Sequence, residues 1–141
     1  MVIVSLFIPG ASVAKGRARH STRGGITRSY TPARTVSYEN LIASRASDAM
    51  DGAAPAECAV RVVVIVHLVV PASWSPRKRA QALTGLLHPV SRPDVDNYLK
   101  SALDGMNAVV FRDDSQVVRA SVSKQYSETP GMTIEVRDLG A

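Results

Sequence analysis

Hydrophobic positions in this chain recur with two periods. Val2–Ile8 is rich in β-formers and stops at Pro9-Gly10, which predicts a short strand closed by a turn. In Thr35–Met50 the apolar residues Tyr38, Leu41, Ile42 and Ala46 follow helical spacing. That predicts a helix, with Thr35 able to cap it. Glu57–Val70 is dense in valine and closed by Pro71. Its near-continuous apolarity predicts a central strand covered on both faces. Ser75-Pro76 opens a short basic helix reaching about Leu86, with proline at the first helical position. Asp94–Asn107 predicts a third helix whose buried face carries Val95, Leu99, Ala102, Leu103 and Met106. Gln116–Tyr126 and Met132–Val136 predict two strands joined by the Glu128-Thr-Pro-Gly131 turn.

The order strand, loop, helix, strand, helix, helix, strand, strand gives an α+β domain spanning 1–141. Its sheet is small, mixed or mainly antiparallel, and flanked by helices. A chain of 141 residues is long enough to bury a real core. Cys58 is the only cysteine, which leaves no disulfide framework or thiolate zinc site. Val60–Val70 is far shorter than the ~20 residues of a membrane helix and is interrupted by Arg61 and His67. Met1–Pro9 lacks the basic region of a signal peptide. The expectation is a cytoplasmic protein without a membrane or a small organic cofactor. His67, inside the apolar strand, reads as a satisfied core residue.

Charge is unevenly placed. The net charge is +5, which favours a polyanionic partner. Residues 1 to 35 hold Lys15, Arg17, Arg19, Arg23, Arg28 and Arg34 and no acid. Four glycines between Pro9 and Pro32 make that stretch a basic loop. Such arginines suit phosphate contacts, although charge runs are more often solvated surface.

Against this background five of the twelve acids fall between Asp94 and Asp114: Asp94, Asp96, Asp104, Asp113 and Asp114. Crowded carboxylates repel, and a hard divalent cation such as Mg²⁺ relieves the repulsion through oxygen ligands. Asp94 and Asp96 converge only if Asp94 precedes the regular helix, which Pro93 favours. Each feature also has a structural reading. Asp94 or Asp96 could be a helix cap, and Asp113-Asp114 a polar turn. Lys100 could be an i,i+4 partner of Asp96 or Asp104, or a cation that stabilises phosphate charge. The two readings of Lys100 are evenly balanced. The acids taken together favour a metal site on a basic, polyanion-binding protein.

The segment Arg92-Pro-Asp94-Val-Asp96-Asn97-Tyr-Leu-Lys100, with Asp104 and then Asp113-Asp114-Ser-Gln116-Val117, resembles the RusA family of Holliday-junction resolvases. Pro9-Gly10, Lys15-Gly-Arg17-Ala-Arg19, Tyr30-Thr-Pro32 and Tyr38-Glu39 are similar to the opening of many RusA-like proteins, including phage and prophage members. The resemblance implies a homodimeric, Mg²⁺-dependent endodeoxyribonuclease, with Mn²⁺ an alternative ion. It implies symmetric nicking of four-way DNA junctions in recombination and repair. The family's metal-binding aspartates fall on Asp94, Asp96 and Asp114, and its functional lysine on Lys100. Lys15, Arg17, Arg19 and Arg92 are the expected DNA contacts. Tyr98 and Ala108 depart from the leucine and glycine common at those places, and Ala108 bears on whether Asp113 or Asp114 is the ligand. The alternatives are a Mg²⁺ nuclease on other branched DNA or RNA, and a non-catalytic DNA-binding module.

Overall fold

The computed structural model describes residues 1–16, 19–25 and 28–140. Strand β1 (Val2–Pro9) is followed by a short hairpin of β2 (Arg19–Ser21) and β3 (Arg28–Tyr30). The stretch expected to be a flexible basic loop rather than a helix therefore carries a short paired hairpin. Helix α1 (Ala33–Met50) leads to β4 (Val60–Val69). Helices α2 (Pro76–Leu83) and α3 (Val95–Met106) follow, then β5 (Val117–Ser127) and β6 (Gly131–Asp138). β1, β6, β4 and β5 form one sheet in that order, antiparallel except for the parallel β4–β5 pair. The α+β expectation with a mixed sheet holds.

One cluster forms the core. Val60, Val62, Val64 and Val66 of β4 and Met132, Ile134 and Val136 of β6 meet Ile42 and Ala46 of α1 and Ala102 and Met106 of α3. Each fully buried aliphatic side chain of this kind contributes ~1.5–3 kcal/mol. Cys58 packs half-buried at its margin.

Several local expectations are corrected. β4 is central in the hydrogen-bond ladder, but only one of its faces is fully buried. Arg61 is exposed, and Val63, Ile65 and His67 are half-buried on the other face. His67 Nε2 lies 2.8 Å from Thr133 Oγ1 there, so it is satisfied outside the core. Thr35 does not cap α1. The helix starts two residues earlier behind Pro32, and Thr35 is buried with its Oγ1 accepting from the Gly16 amide at 3.3 Å. Ser75 does cap α2, accepting from Lys78 N at 3.2 Å.

The buried face of α3 is Tyr98, Ser101, Ala102, Gly105 and Met106. Val95 is exposed, and Leu99 and Leu103 are half-buried. Gly105 lies on this face at the contact with α1. A Cβ there would lie 2.6 Å from both Cβ and Cγ2 of Ile42, so the bare glycine face lets α3 lie directly against α1. No helix among the described residues is long and apolar enough to cross a membrane.

Candidate active site

The acidic residues occupy the two ends of α3. At the first end, Asp94 has extended backbone (φ −74°, ψ 153°) and occupies the N-cap position without a side-chain cap hydrogen bond. Its carbonyl accepts from Tyr98 N at 3.4 Å. Asp96 lies in the first turn. Both residues are exposed. Among the described residues no hydrogen bond or ion pair engages either carboxylate. The capping explanation for Asp94 therefore fails.

The chain entering α3 is held from outside the helix. Lys124 of β5 donates to the carbonyls of Ser91 at 2.8 Å and Pro93 at 3.0 Å. These bonds fix the segment that presents Asp94. Beside it lies a cleft of about 490 Å³ lined by Ala14, Lys15, Gly16, Arg92, Pro93, Asp94 and Asn97. The cleft places the root of the basic arm opposite the first aspartate.

At the far end of α3 the chain turns through Ala108, whose φ of 65° is in the left-handed region. Phe111 is fully buried and pairs with Ala56, and its carbonyl accepts from Ala108 N at 2.8 Å. That plug positions the aspartate doublet. Asp113 Oδ2 accepts from Ser115 N at 3.0 Å, while Asp113 N donates to Gln116 Oε1 at 2.9 Å. The Ser115 side chain and amide hold the Asp113 carboxyl below its ordinary range. Gln116 also donates to the carbonyls of Ala56 at 2.8 Å and Cys58 at 2.9 Å. Asp113 and Gln116 thus form the turn and fasten it to the approach to β4.

Asp114 is placed differently. Its amide donates to Asn107 Oδ1 at 3.0 Å, and its Oδ2 lies 3.4 Å from Lys100 Nζ. Lys100 also pairs with Asp104 at 3.1 Å, the i,i+4 contact expected of it, but not with Asp96. The Asp104 hydrogen bond is the main reason the Lys100 pKa is raised; Asp114 adds to it.

Sequence reasoning and structure meet unevenly. Arg92 lines the cleft and is exposed, as a DNA contact requires. Lys15 is not a free cation: its ammonium lies 2.6 Å from Glu39 Oε1 and 3.1 Å from Asp104 Oδ2. Arg17 lies outside the described residues, and Arg19 is described by its backbone alone, in β2. Lys124 was not among the expected site residues, and an isolated lysine in a strand carries no pattern that would single it out. Two of the three basic residues of α2 have local partners, with Lys78 Nζ 4.0 Å from the centre of the Trp74 ring and Arg79 3.9 Å from Glu128.

The exposed aspartates supply the hard oxygen donors that Mg²⁺ takes. The ligand set is not gathered, however. Among the described residues no three carboxylate, histidine or cysteine side chains stand close enough to hold one ion. Asp114 faces Lys100.

A family model, Endodeoxyribonuclease RusA, matches residues 9–137. The chain is also 34% identical over 142 residues to the uncharacterized protein YqaN of Bacillus subtilis (strain 168), covering 100% of both chains. The chain belongs to the RusA family of endodeoxyribonucleases.

Proposed function

We propose that this member of the RusA family cuts four-way DNA junctions by symmetric paired nicks, as a homodimer that depends on Mg²⁺. One observation carries this reading. Asp94 and Asp96 are exposed without structural partners beside a cleft that also presents Arg92. A fold gains nothing from two such carboxylates at one helix start beyond a modest interaction with the helix dipole. Asp94, Asp96 and Asp114, which are not gathered into one ligand set, would have to draw together to hold Mg²⁺, or Mn²⁺ in its place, and the ion would then supply an activated water and stabilise charge on the phosphate.

The remaining roles belong to the chain itself. Arg92, at the rim of the cleft, contacts a DNA phosphate and draws the strand toward Asp94. Lys100, half-exposed and fixed between Asp104 and Asp114, orients the scissile phosphate and stabilises the charge that develops on it. Asp113 is engaged in the turn by its own hydrogen bonds, which supports Asp114 as the functional member of the doublet. The basic arm supplies sequence-independent phosphate contacts through Arg17 and Arg19. One domain with one acidic helix makes one cut. Two copies about a two-fold axis match the symmetry of the junction.

The test is a labelled synthetic four-way junction offered with and without Mg²⁺, beside duplex, flap and RNA substrates of equal length. Paired symmetric nicks confined to the junction and the metal are expected, with light scattering at twice the chain mass. Preferential cutting of flaps or RNA would replace the junction reading. Binding without cleavage of any substrate would leave a DNA-binding module.

A further inference from the structure

A row of five charged side chains runs inward from Asp114. Asp114 Oδ2 lies 3.4 Å from Lys100 Nζ, which is 3.1 Å from Asp104 Oδ1. Asp104 Oδ2 lies 3.1 Å from Lys15 Nζ, which is 2.6 Å from Glu39 Oε1. The signs alternate throughout. The members differ in exposure. The side chains of Glu39, Lys15 and Asp104 are 19%, 24% and 22% exposed, whereas Lys100 is 51% exposed. Lower exposure reduces solvent screening, so the inner pairs are electrostatically stiffer than the outer one.

The inner end is also tied through its backbone. Lys15 N donates to Asn97 O on α3 at 2.8 Å. The next residue, Gly16, donates to Thr35 Oγ1 on α1 at 3.3 Å. A Cβ on Gly16 would meet Pro32 Cγ at 3.1 Å and Thr35 Oγ1 at 3.2 Å. The Lys15-Gly16 dipeptide is therefore wedged between α1 and α3 at the root of the basic arm.

We propose that Glu39, Lys15 and Asp104 are positioning residues that hold Lys100 beside Asp114 and fasten the arm to the catalytic helix. This rests on the reading of Lys100 as the cation at the scissile phosphate. A lysine has a long flexible stem, so its ammonium holds one place only where its partner does. Asp104 is that partner, and Lys15 fixes the other oxygen of Asp104. Without Lys15, Glu39 loses its cation and Asp104 keeps only Lys100, so the two carboxylates on facing helices pull Lys100 inward, away from Asp114. Lys15 acts here through Asp104 rather than by touching DNA.

The experiment separates these two roles for Lys15. Lys15→Met, Lys15→Arg, Glu39→Gln and Asp104→Asn are compared in single-turnover junction cleavage at saturating protein and in junction binding across a salt series. Lys15→Met should cut roughly 10–100-fold more slowly, the scale of a small misplacement of a reacting group. Its junction affinity and salt slope should match wild type. Lys15→Arg should recover most of the rate, and Glu39→Gln should slow cleavage in the same binding-neutral way. Adding Lys15→Met to Lys100→Met should cost nothing further. A salt slope flatter by ~1 in Lys15→Met would make Lys15 a phosphate ligand and overturn the proposal. Unchanged cleavage, or additivity with Lys100→Met, would also overturn it. A double-mutant cycle on unfolding between Lys15→Met and Asp104→Asn tests the row independently of catalysis. Non-additivity supports it even if wild-type protein cuts no junction, and strict additivity removes it.

Discussion

The two ends of α3 carry the same kind of side chain in opposite circumstances. At its start Asp94 and Asp96 are exposed and engage nothing among the described residues. At its end Asp104, Asp113 and Asp114 each have a named partner, in Lys15 and Lys100, Ser115, and Lys100 respectively. An aspartate that closes a backbone turn, as Asp113 does, or bridges two lysines, as Asp104 does, contributes to the fold, and its removal shows in stability. One without partners, or held only at 3.4 Å by a half-exposed lysine as Asp114 is, adds little beyond repulsion, so its removal shows first in function. The difference separates two roles within one helix that a count of acids in the sequence treats alike.

The sharpest contrast should come from the first end. Asp94→Asn and Asp96→Asn should each lower junction cleavage by on the order of 10²–10³, the scale of losing one preorganised charge at a reacting phosphate. The melting temperature should hold or rise. A variant that melts earlier and still cuts would break the comparison, because that aspartate would belong to the fold.

The next largest effect lies in the packing that brings the second end to its partners. Gly105→Ala places a methyl group 2.6 Å from Ile42 Cβ and 3.2 Å from the Glu39 carbonyl. Overpacking of this kind costs ~1–3 kcal/mol. Urea unfolding should show it as a lower midpoint, and an unchanged midpoint would mean that α1 and α3 can separate freely.

Within the doublet the contrast is finer. Asp113→Ala removes the acceptor of the Ser115 amide and should lower the melting temperature by a few degrees while the protein still cuts. Asp114→Asn should do the reverse, with little change in melting and a loss of cleavage. Exchange of these two outcomes would move the functional role to Asp113.

Ala108 is a smaller test at the same end. Its φ of 65° disfavours any side chain with a Cβ. Ala108→Gly should therefore raise stability by up to ~1 kcal/mol in chemical unfolding. A loss of stability would show that the turn gains more from a restricted chain than from relief of the left-handed backbone.

The smallest effect is one of pH. Burial alone would lower the Lys15 pKa, and the bonds to Glu39 on α1 and Asp104 on α3 reverse that, so it lies above its ordinary 10.5. A raised folded-state value means that the stability from this pair is complete below about 10.5 and is lost as pH rises through the folded value. Stability measured from pH 9 upward should fall less steeply in Lys15→Met than in wild type. Parallel curves would show that the pairing adds nothing.

Much of this was legible in the sequence because periodicity reports elements well. Val2–Pro9, Val60–Val69 and Val117–Ser127 lie where alternation and valine density put strands, and α3 lies between Pro93 and Ala108 as its spacing implied. The buried face of α3 was misread because Ser101 and Gly105 carry no hydropathic signal. Gly105 is buried for its lack of volume, which only the facing Ile42 reveals. Lys15 illustrates a second limit. A charge run gives sign but not partners, and the acids that hold this lysine lie 24 and 89 residues further along. The doublet needed backbone angles as well, since only the extended conformation of Asp113 shows which carboxylate closes the turn.

The pairing of β1 with β6 bears on when in its synthesis this chain can complete its fold. Ile8 of the first strand finds its partner in Met132, and β4 relies on the same late strand for one of its two edges. During synthesis the ribosome releases β1, α1, β4 and α3 well before β6. Until β6 emerges, the helices face a sheet with its middle missing. Every side chain proposed for the site is then already made, yet the sheet behind it is incomplete. The fold behind the site is thus completed only when the final strand closes the gap.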